Sequence, residues 1–282
     1  MFTTRPELLG TFGMVTATHW LGSAAGMAML ERGGNAFDAC IATAFVLQVV
    51  EPHLVGPGGD VPVVFHSAKT GKTEVLCGQG PAPAGATIAH YKAEGLELIP
   101  GNGLLATVVP GSFGAWMTLL RDHGLLTVRD VLEPAIHYAE GGHPVLPRVA
   151  DTIAGLKDFF EAEWPTSAAV FLPGGSGPKA RQLFHNPALA ETWKRVIRES
   201  EAAGGDRERQ AEALLRQQVA GLALARVEGA REMRRVEHRL FDRLLQVQPV
   251  MDMAQEQLQL PLLLLSPPGD PKARYGLPSR SA

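Results

Sequence analysis

Small and hydrophobic residues recur near the start of the chain with the period of an α-helix. In the stretch HWLGSAAGMAMLER they fall at Leu21, Ala24, Ala25, Ala28 and Met29. Two glycines, Gly33 and Gly34, follow this stretch, and glycine adopts positive φ angles at no steric cost. The pattern therefore predicts a helix that ends at the glycine pair.

A second helix is predicted directly after the glycines. Asn35 offers a side-chain oxygen to the free amides of the new helix, and Asp38, three residues on, favours its positive end. The stretch AFDACIATAFVLQVVE is apolar on nearly every side and ends before Pro52, as expected of a buried helix. Cys40 lies inside this stretch and is predicted to be a small core residue.

The stretch VPVVFHSAKTGKTEVLCG, residues 61–78, predicts a β-hairpin. Two runs rich in Val, Phe and Leu flank a turn in which Gly71 supplies the flexible position. Glycine-rich loops, GPGGD and GQGPAP, stand at the two ends of the hairpin, so they are expected to lie near each other. Glycine is typical both of backbone that approaches a ligand and of a plain turn, and the sequence leaves these two interpretations open.

Helical patterns continue to about residue 205. VPGSFGAWMTLLRDHG is one, and TVRDVLEPAIHYAEGG is another, capped by Thr127 with Asp130 three residues on. Pro134 is expected to kink or break the second of these helices. Segments 149–163 and 187–203 predict two more amphipathic helices, joined by the loop FLPGGSGPKARQLFHNP.

The character of the chain changes at about Asp206. Leu, Val and Met then recur at helical spacing with arginines on the other face, and a run of Leu and Pro follows. The pattern divides the chain into three parts: residues 1–205, an Arg- and Leu-rich helical segment at 206–248, and a Pro-rich tail at 249–282 that is expected to be disordered.

Composition narrows the functional classes. Net charge is −3, which gives no reason to expect nucleic-acid or membrane partners. Two cysteines suffice for neither a disulfide framework nor a zinc site, so a reducing, cytoplasmic location is expected. We find no signal-peptide pattern at the amino terminus, and the run LQLPLLLLSPP is too short to span a bilayer.

Several chemical motifs are weak. PGGSGPKA resembles a phosphate loop only superficially, since its spacing differs and no Gly-Lys-Ser/Thr follows. His137 and His143 are six residues apart, not the four that would align two zinc ligands on one helical face. Cys77 ends a strand beside a glycine loop and is a candidate nucleophile, although no charged partner is visible in the sequence. No metal or cofactor is expected.

The order of the longer motifs is more specific. GGNAFDA, followed by GPGGD, GQGPAPAGAT, VPGSFGAW, LEPAIHYAEGGHPV and FLPGGSGP, resembles the large-subunit region of the γ-glutamyltransferase family. The resemblance covers roughly residues 11–205. It implies an α+β fold of layered α/β type, the αββα sandwich of N-terminal nucleophile hydrolases, of which this chain would hold an incomplete, helix-rich large-subunit part.

The resemblance also implies a chemistry. In this family a precursor cleaves itself, and the new amino-terminal threonine of the small subunit attacks a γ-glutamyl amide such as glutathione, with its own α-amine as base. The glutamyl ester then passes to water or to an amino-acid acceptor. The expected partners are therefore a small-molecule γ-glutamyl or related amide and a small subunit that carries the nucleophile.

Two departures from the family pattern stand out. Counting back from Ala82-Pro83 places Gln79 where the family has an arginine that binds the substrate α-carboxylate, and glutamine supplies no charge. The family's Thr-x-His nucleophile motif is missing, because no threonine follows Thr192. We therefore expect no catalytic residue in this chain and no turnover by it alone.

These departures leave three interpretations. The chain is a γ-glutamyltransferase-like protein without the catalytic half, a non-catalytic large subunit that needs a separate small subunit, or a truncated or frame-shifted remnant. The abrupt change at Asp206 favours a shifted reading frame over a genuine divergent end. A lone scaffold of this kind is also expected to expose strand edges and to be poorly soluble.

Overall fold

A computed structural model describes residues 8–99 and 104–227. Ten helices lie in these ranges: α1 Trp20–Glu31, α2 Ala36–Val50, α3 Ile88–Ala93, α4 Ser112–His123, α5 Val128–Gly141, α6 Pro147–Gly155, α7 Lys157–Glu163, α8 Pro165–Phe171, α9 Pro187–Ala202 and α10 Arg207–Val227. Four strands accompany them: β1 Pro62–Ser67, β2 Lys72–Cys77, β3 His143–Pro144 and β4 Leu183–Phe184. The described residues are thus helix-rich, with two small antiparallel sheets.

Local capping chemistry sets the ends of the first two helices as predicted. Gly33, at a φ of 88°, follows the end of α1, where the positive angle turns the chain. The Asn35 side chain accepts hydrogen bonds from the first amides of α2, and the Asp38 carboxylate accepts one from the Asn35 amide at 2.8 Å. Both halves of a capping box are therefore present.

Helix α2 lies at the centre of the core, packed against α1, α4 and α5. Its buried side chains include Ile41, Phe45 and Val46. The prediction that Cys40 is a core residue is wrong, because this side chain is exposed. Ala36, one turn earlier on the same side of the helix, is exposed too, so a narrow strip near the amino-terminal end of α2 faces solvent.

The hairpin of residues 61–78 is confirmed. Strands β1 and β2 pair antiparallel, with Val64 opposite Val75, and Gly71 turns the chain at a φ of 68°. Val63 and Phe65 pack against the helical core from one face of the hairpin, whereas Val64 and Val75 on the other face are exposed. The second sheet, β3 with β4, was not predicted, since two-residue strands carry no period.

Two predicted helices differ in detail from the structure. Helix α5 continues through Pro134 without a break, although the proline has no amide to donate to the Asp130 carbonyl. The helix predicted at 149–163 is divided at the buried Leu156, whose amide donates to both Thr152 and Ile153 carbonyls. The short helix α8 then follows, and the sequence pattern did not predict it.

Helix α10 belongs to the packed core at its amino-terminal end. Ala211 and Leu214 are buried against α4 and α9, and the Arg121 guanidinium of α4 lies 2.7 Å from the Glu212 carboxylate. The chain is therefore helical from Arg207 to Val227, and the rest of the predicted 206–248 segment and the 249–282 tail lie outside the described residues.

Across the two described ranges, no helix has both the length and the apolar composition that crossing a membrane requires.

Candidate functional site

The two glycine-rich loops at the ends of the β1–β2 hairpin lie side by side. The Gly78 amide donates to the Val61 carbonyl at 2.8 Å, which joins the end of one loop to the start of the other. Next to this bond, the Gln79 side-chain Nε2 donates to Asp60 Oδ2 at 3.4 Å. The expectation that the loops are neighbours is therefore met, and the structure brings the sequence-predicted Gln79 to an aspartate.

A third segment completes this loop junction from the start of α4. Gly80 has a φ of 79°, and a Cβ atom built on it would lie 1.8 Å from the Val109 carbonyl oxygen. A Cβ on Gly111 would lie 2.7 Å from the Gly78 carbonyl oxygen. Backbone thus packs directly on backbone, which explains why glycine is required at these positions.

A buried hydroxyl also ties the loops to α4. Ser112 has 0% exposure, and its Oγ donates to the Pro57 carbonyl at 2.5 Å, which holds the GPGGD loop against the first turn of the helix. The loop junction, residues 57–60, 78–80 and 109–112, is consequently a fixed platform rather than a set of independent turns.

We expect Ser112→Ala to lower the free energy of unfolding by about 1–2 kcal/mol, because the buried Pro57 carbonyl loses its donor. Urea denaturation measures the change. Thr192→Ala is the matched control: its exposed hydroxyl donates to the Ala188 carbonyl at 3.0 Å, and its removal is expected to cost less than about 0.5 kcal/mol. Equal effects of the two variants would show that the Ser112 bond does not fix the loop junction.

The exposed side chains of Asp60, in the loop junction, and Cys77, next to it in the chain, bear on the chemistry of the junction. Cys77 Sγ donates to Gln79 Oε1 at 3.7 Å, so the partner of the thiol is a carboxamide and not a base. Within the described part of the chain, Asp60 forms no ion pair, and its one hydrogen bond comes from Gln79. The junction therefore presents a carboxylate and a carboxamide, and the geometry gives the predicted Cys77 nucleophile no activating partner.

The remaining predicted motifs do not converge on this site. His137 is exposed on α5, whereas His143 is buried in β3, so the two do not share a ligand. The PGGSGPKA segment forms a surface turn whose Gly175 carbonyl accepts a hydrogen bond from Lys157 Nζ at 2.7 Å. That turn presents a carbonyl oxygen to the lysine, not an array of amides to a phosphate.

Sequence reasoning missed Asp60 as a functional candidate. The signal was its position as the last residue of GPGGD, directly before the hairpin. Antiparallel pairing of Pro62 with Cys77 places Asp60 opposite Gln79, the second residue after β2.

A helical hairpin and glycine loops packed in this way define the helix-rich part of an N-terminal nucleophile hydrolase, and the α+β class and the fold family predicted from the sequence are confirmed. Residues 22–207 match the family described as Gamma-glutamyltranspeptidase. The chain belongs to this family.

Three relatives illustrate the family. The glutathione hydrolase-like YwrD proenzyme of Bacillus subtilis (strain 168) is 35% identical over 200 residues, which cover 70% of this chain and 37% of the relative. The structure of LmbA2991HD matches with a TM-score of 0.74 and 56% identity, covering 80% of this chain and 39% of that one. The cephalosporin acylase from Bacillus halodurans matches with a TM-score of 0.59 and 35% identity, covering 65% and 36%.

The extent of these matches bears on the predicted boundary at Asp206. This chain spans about a third of the length of the curated relatives that it matches. The match to LmbA2991HD covers 80% of 282 residues, which is about 225, so it extends beyond Asp206 into α10. The family match ends at residue 207, so the origin of the chain beyond Asp206 stays a prediction.

Proposed function

We propose that this chain supplies the helix-rich large-subunit region of an amide-directed acyl-transfer enzyme, one that hydrolyses an amide or transfers its acyl group. The family match over residues 22–207 carries the proposal. Support comes from the names of the relatives, which cover a glutathione hydrolase-like protein and a cephalosporin acylase, so this fold serves more than one acyl amide.

The nucleophile of this enzyme would come from a small subunit. Hydroxyl nucleophiles in this class need an adjacent base, and an amino-terminal threonine provides its own amine, so no cofactor is involved. Since no threonine follows Thr192, we expect the 282-residue polypeptide by itself to show no turnover. A cytoplasmic location likewise stays a prediction.

The loop junction suggests the substrate class. By resemblance, Gln79 occupies the position of the arginine that binds an α-carboxylate, and here its side chain donates to the Asp60 carboxylate. A carboxylate repels another carboxylate and attracts an amine or amide donor. We therefore propose that the acyl group bears an amine or a neutral polar group at this end, rather than the free α-carboxylate of a γ-glutamyl group.

A matched set of chromogenic amides tests this prediction. γ-Glutamyl-p-nitroanilide carries both an α-amine and an α-carboxylate, 4-aminobutyryl-p-nitroanilide lacks the carboxylate, and glutaryl-p-nitroanilide lacks the amine. We expect kcat/KM for the 4-aminobutyryl amide to exceed that for the glutaryl amide by about tenfold, which corresponds to about 1.4 kcal/mol. Gln79→Arg should reverse the order, whereas Gln182→Arg, a surface control, should leave it unchanged.

The assay uses the chain alone and the chain co-expressed with the carboxyl-terminal half of the Bacillus subtilis relative, with native mass spectrometry to verify the complex. Nitroaniline release by the complex and not by the chain alone is the expected result. A verified complex that hydrolyses none of the three amides would refute the proposed function, whereas a preference for the glutaryl amide would refute only the proposed substrate class.

A further inference from the structure

Away from the loop junction, a buried group of titratable side chains joins the amino-terminal end of α1 to the carboxyl-terminal end of α2. His19, His53 and His143 are each 2% exposed, and Glu51 is 4% exposed. In all three histidines, one buried ring nitrogen has no hydrogen-bond partner among the described residues. The Thr18 hydroxyl donates to the Glu51 carboxylate at the edge of this histidine cluster.

His19 is the N-cap of α1, and it caps through its ring. The residue has extended backbone angles, and its Nδ1 accepts a hydrogen bond from the Leu21 amide at 3.1 Å. A histidine nitrogen accepts a hydrogen bond only when it carries no proton. The cap bond therefore assigns the neutral ring with the proton on Nε2.

Protonation of His19 would remove the cap and oppose the helix. Both ring nitrogens of a charged histidine are donors, so Nδ1 would face the Leu21 amide as donor against donor. The positive ring would also stand at the positive end of the α1 dipole. Asn, Asp, Ser and Thr, the usual capping residues, have no such dependence near neutral pH.

The groups around His19 set the direction of its titration. Burial lowers its pKa, and the Glu51 carboxylate opposes this in part. Two further groups lie near the cluster on the side of Glu51: His53, and Arg148 of α6, which faces His53. On the other side lies His143 of β3, with His185 beyond it. From α5, Glu133 lies 4.0 Å from Arg32 at the opposite end of α1, and His137 lines the groove between those helices.

The segment before α1 contacts both α1 and α2. Val15 packs so closely over Gly26 that a Cβ there would lie 2.7 Å from Val15 Cγ1, and Thr18 is bonded to Glu51. These contacts hold Val15 and Thr18 along the α1–α2 hairpin, and Thr18 leads directly into the His19 cap.

We propose that His19 is an acid-sensitive cap, which fixes the first turn of α1 and the segment before it at neutral pH and releases both when its imidazole takes up a proton. The release is local: α2, α4 and α5 hold their own core, and it precedes unfolding of the whole domain.

Amide hydrogen exchange followed by NMR tests the proposal on the intact chain, with rates corrected for the intrinsic effect of pH. The protection of the Leu21 and Gly22 amides is expected to fall about tenfold between pH 7.5 and pH 5.0, the change that follows from losing a helix cap worth about 1.4 kcal/mol. Protection in the middle of α2 should instead follow the global stability measured by urea denaturation over the same range, because these buried amides exchange through unfolding of the whole domain.

His19→Asn supplies the decisive comparison, because asparagine caps a helix without titrating. Protection of the Leu21 amide in this variant should change less than twofold over the pH range, and the exposed-site control His137→Asn should behave like the natural chain. A tenfold fall in His19→Asn, or constant protection in the natural chain, would overturn the proposal.

A direct titration of the His19 ring by NMR in the natural chain does not depend on any variant folding. The expected spectrum shows a proton on Nε2 at pH 7.5 and titration below pH 6.5, the ordinary value. A proton on Nδ1, or titration at or above 6.5, would contradict the acid-sensitive cap.

Discussion

Replacing Asp38 with alanine is expected to lower the free energy of unfolding by about 4 kcal/mol, a large part of the stability of an ordinary domain. This aspartate belongs to the GGNAFDA signature by which the family is recognised, and it has 0% exposure. We expect its role in this chain to be structural, because its carboxylate accepts hydrogen bonds only from backbone amides.

The carboxylate of Asp38 satisfies amides from two distant parts of the chain. It accepts from Asn35 at 2.8 Å within α2, and from Leu125 at 3.0 Å and Leu126 at 3.1 Å in the turn between α4 and α5. Asn35 reinforces the same junction, since its Nδ2 donates to the His123 carbonyl at 2.7 Å. Alanine at position 38 would leave three amides without their acceptor, each at a cost of about 1–3 kcal/mol.

The chain offers a matched control in its other capping box. Asp130 of α5 accepts from the Thr127 amide at 3.0 Å, in the same local geometry, but its side chain is 25% exposed, and its distant partner is the exposed Arg32 guanidinium at 2.8 Å rather than a backbone amide. Asp130→Ala is therefore expected to cost about 1 kcal/mol. Urea denaturation at pH 7 of both variants, with Asp38→Asn as an intermediate, measures the difference. A cost for Asp38→Ala within 1 kcal/mol of the control would show that the tertiary bonds contribute little.

The two capping boxes also show what sequence alone can predict. Asn35 with Asp38 and Thr127 with Asp130 were recognised from their three-residue spacing, because capping is a local geometry that depends on neighbours in the chain. The bonds from Asp38 to Leu125 and Leu126 were not predictable, since they join residues more than 80 positions apart and leave no periodic trace.

Which side chains are buried could likewise be predicted only in part. The apolar character of α2 correctly indicated a buried helix, yet it placed Cys40 in the core, because the sequence does not reveal which side of an apolar helix remains uncovered. Helix packing decides that, and here the strip near the start of α2 is left open. The short strands β3 and β4 were not predicted, because two residues are too few to display a period.

Only the part of the candidate site that the β1–β2 hairpin forms could be predicted from the sequence. Antiparallel strands bring their outer ends together, so the neighbourhood of GPGGD and GQGPAP followed from the β1–β2 pairing. The contribution of Gly111 and Ser112 did not follow, because it comes from α4 packing across the loops. The partnership of Gln79 with Asp60, on which the proposed substrate class depends, likewise required the structure.

The second large effect is expected on acidification, and it centres on His143. Burial lowers the pKa of this imidazole to about 4; a hydrogen bond to the Tyr138 backbone opposes this, and the neighbouring His19 and His185 rings lower the pKa further. The ring is therefore neutral in the fold, whereas in the unfolded chain it titrates near 6.5.

The sign of the effect follows from these two values. Above pH 6.5 the ring is neutral in both states and makes no pH-dependent contribution. As the pH falls from 6.5 towards 4, the unfolded chain gains a proton that the folded chain does not, so stability is lost at about 1.4 kcal/mol per pH unit. By pH 4.5 the loss from His143 alone is expected to reach about 3 kcal/mol.

Urea denaturation at pH 7.5, 6.0, 5.0 and 4.5 measures this dependence, and His143→Gln tests its origin. Glutamine keeps a polar side chain but takes up no proton, so this variant should start less stable at pH 7.5 and then lose about 3 kcal/mol less than the natural chain by pH 4.5. His137→Gln, which removes an exposed histidine, should keep the steep profile. If His143→Gln loses stability with pH as steeply as the natural chain, then the acid sensitivity arises elsewhere, and the carboxylates that bridge the surface helices would be the next groups to test.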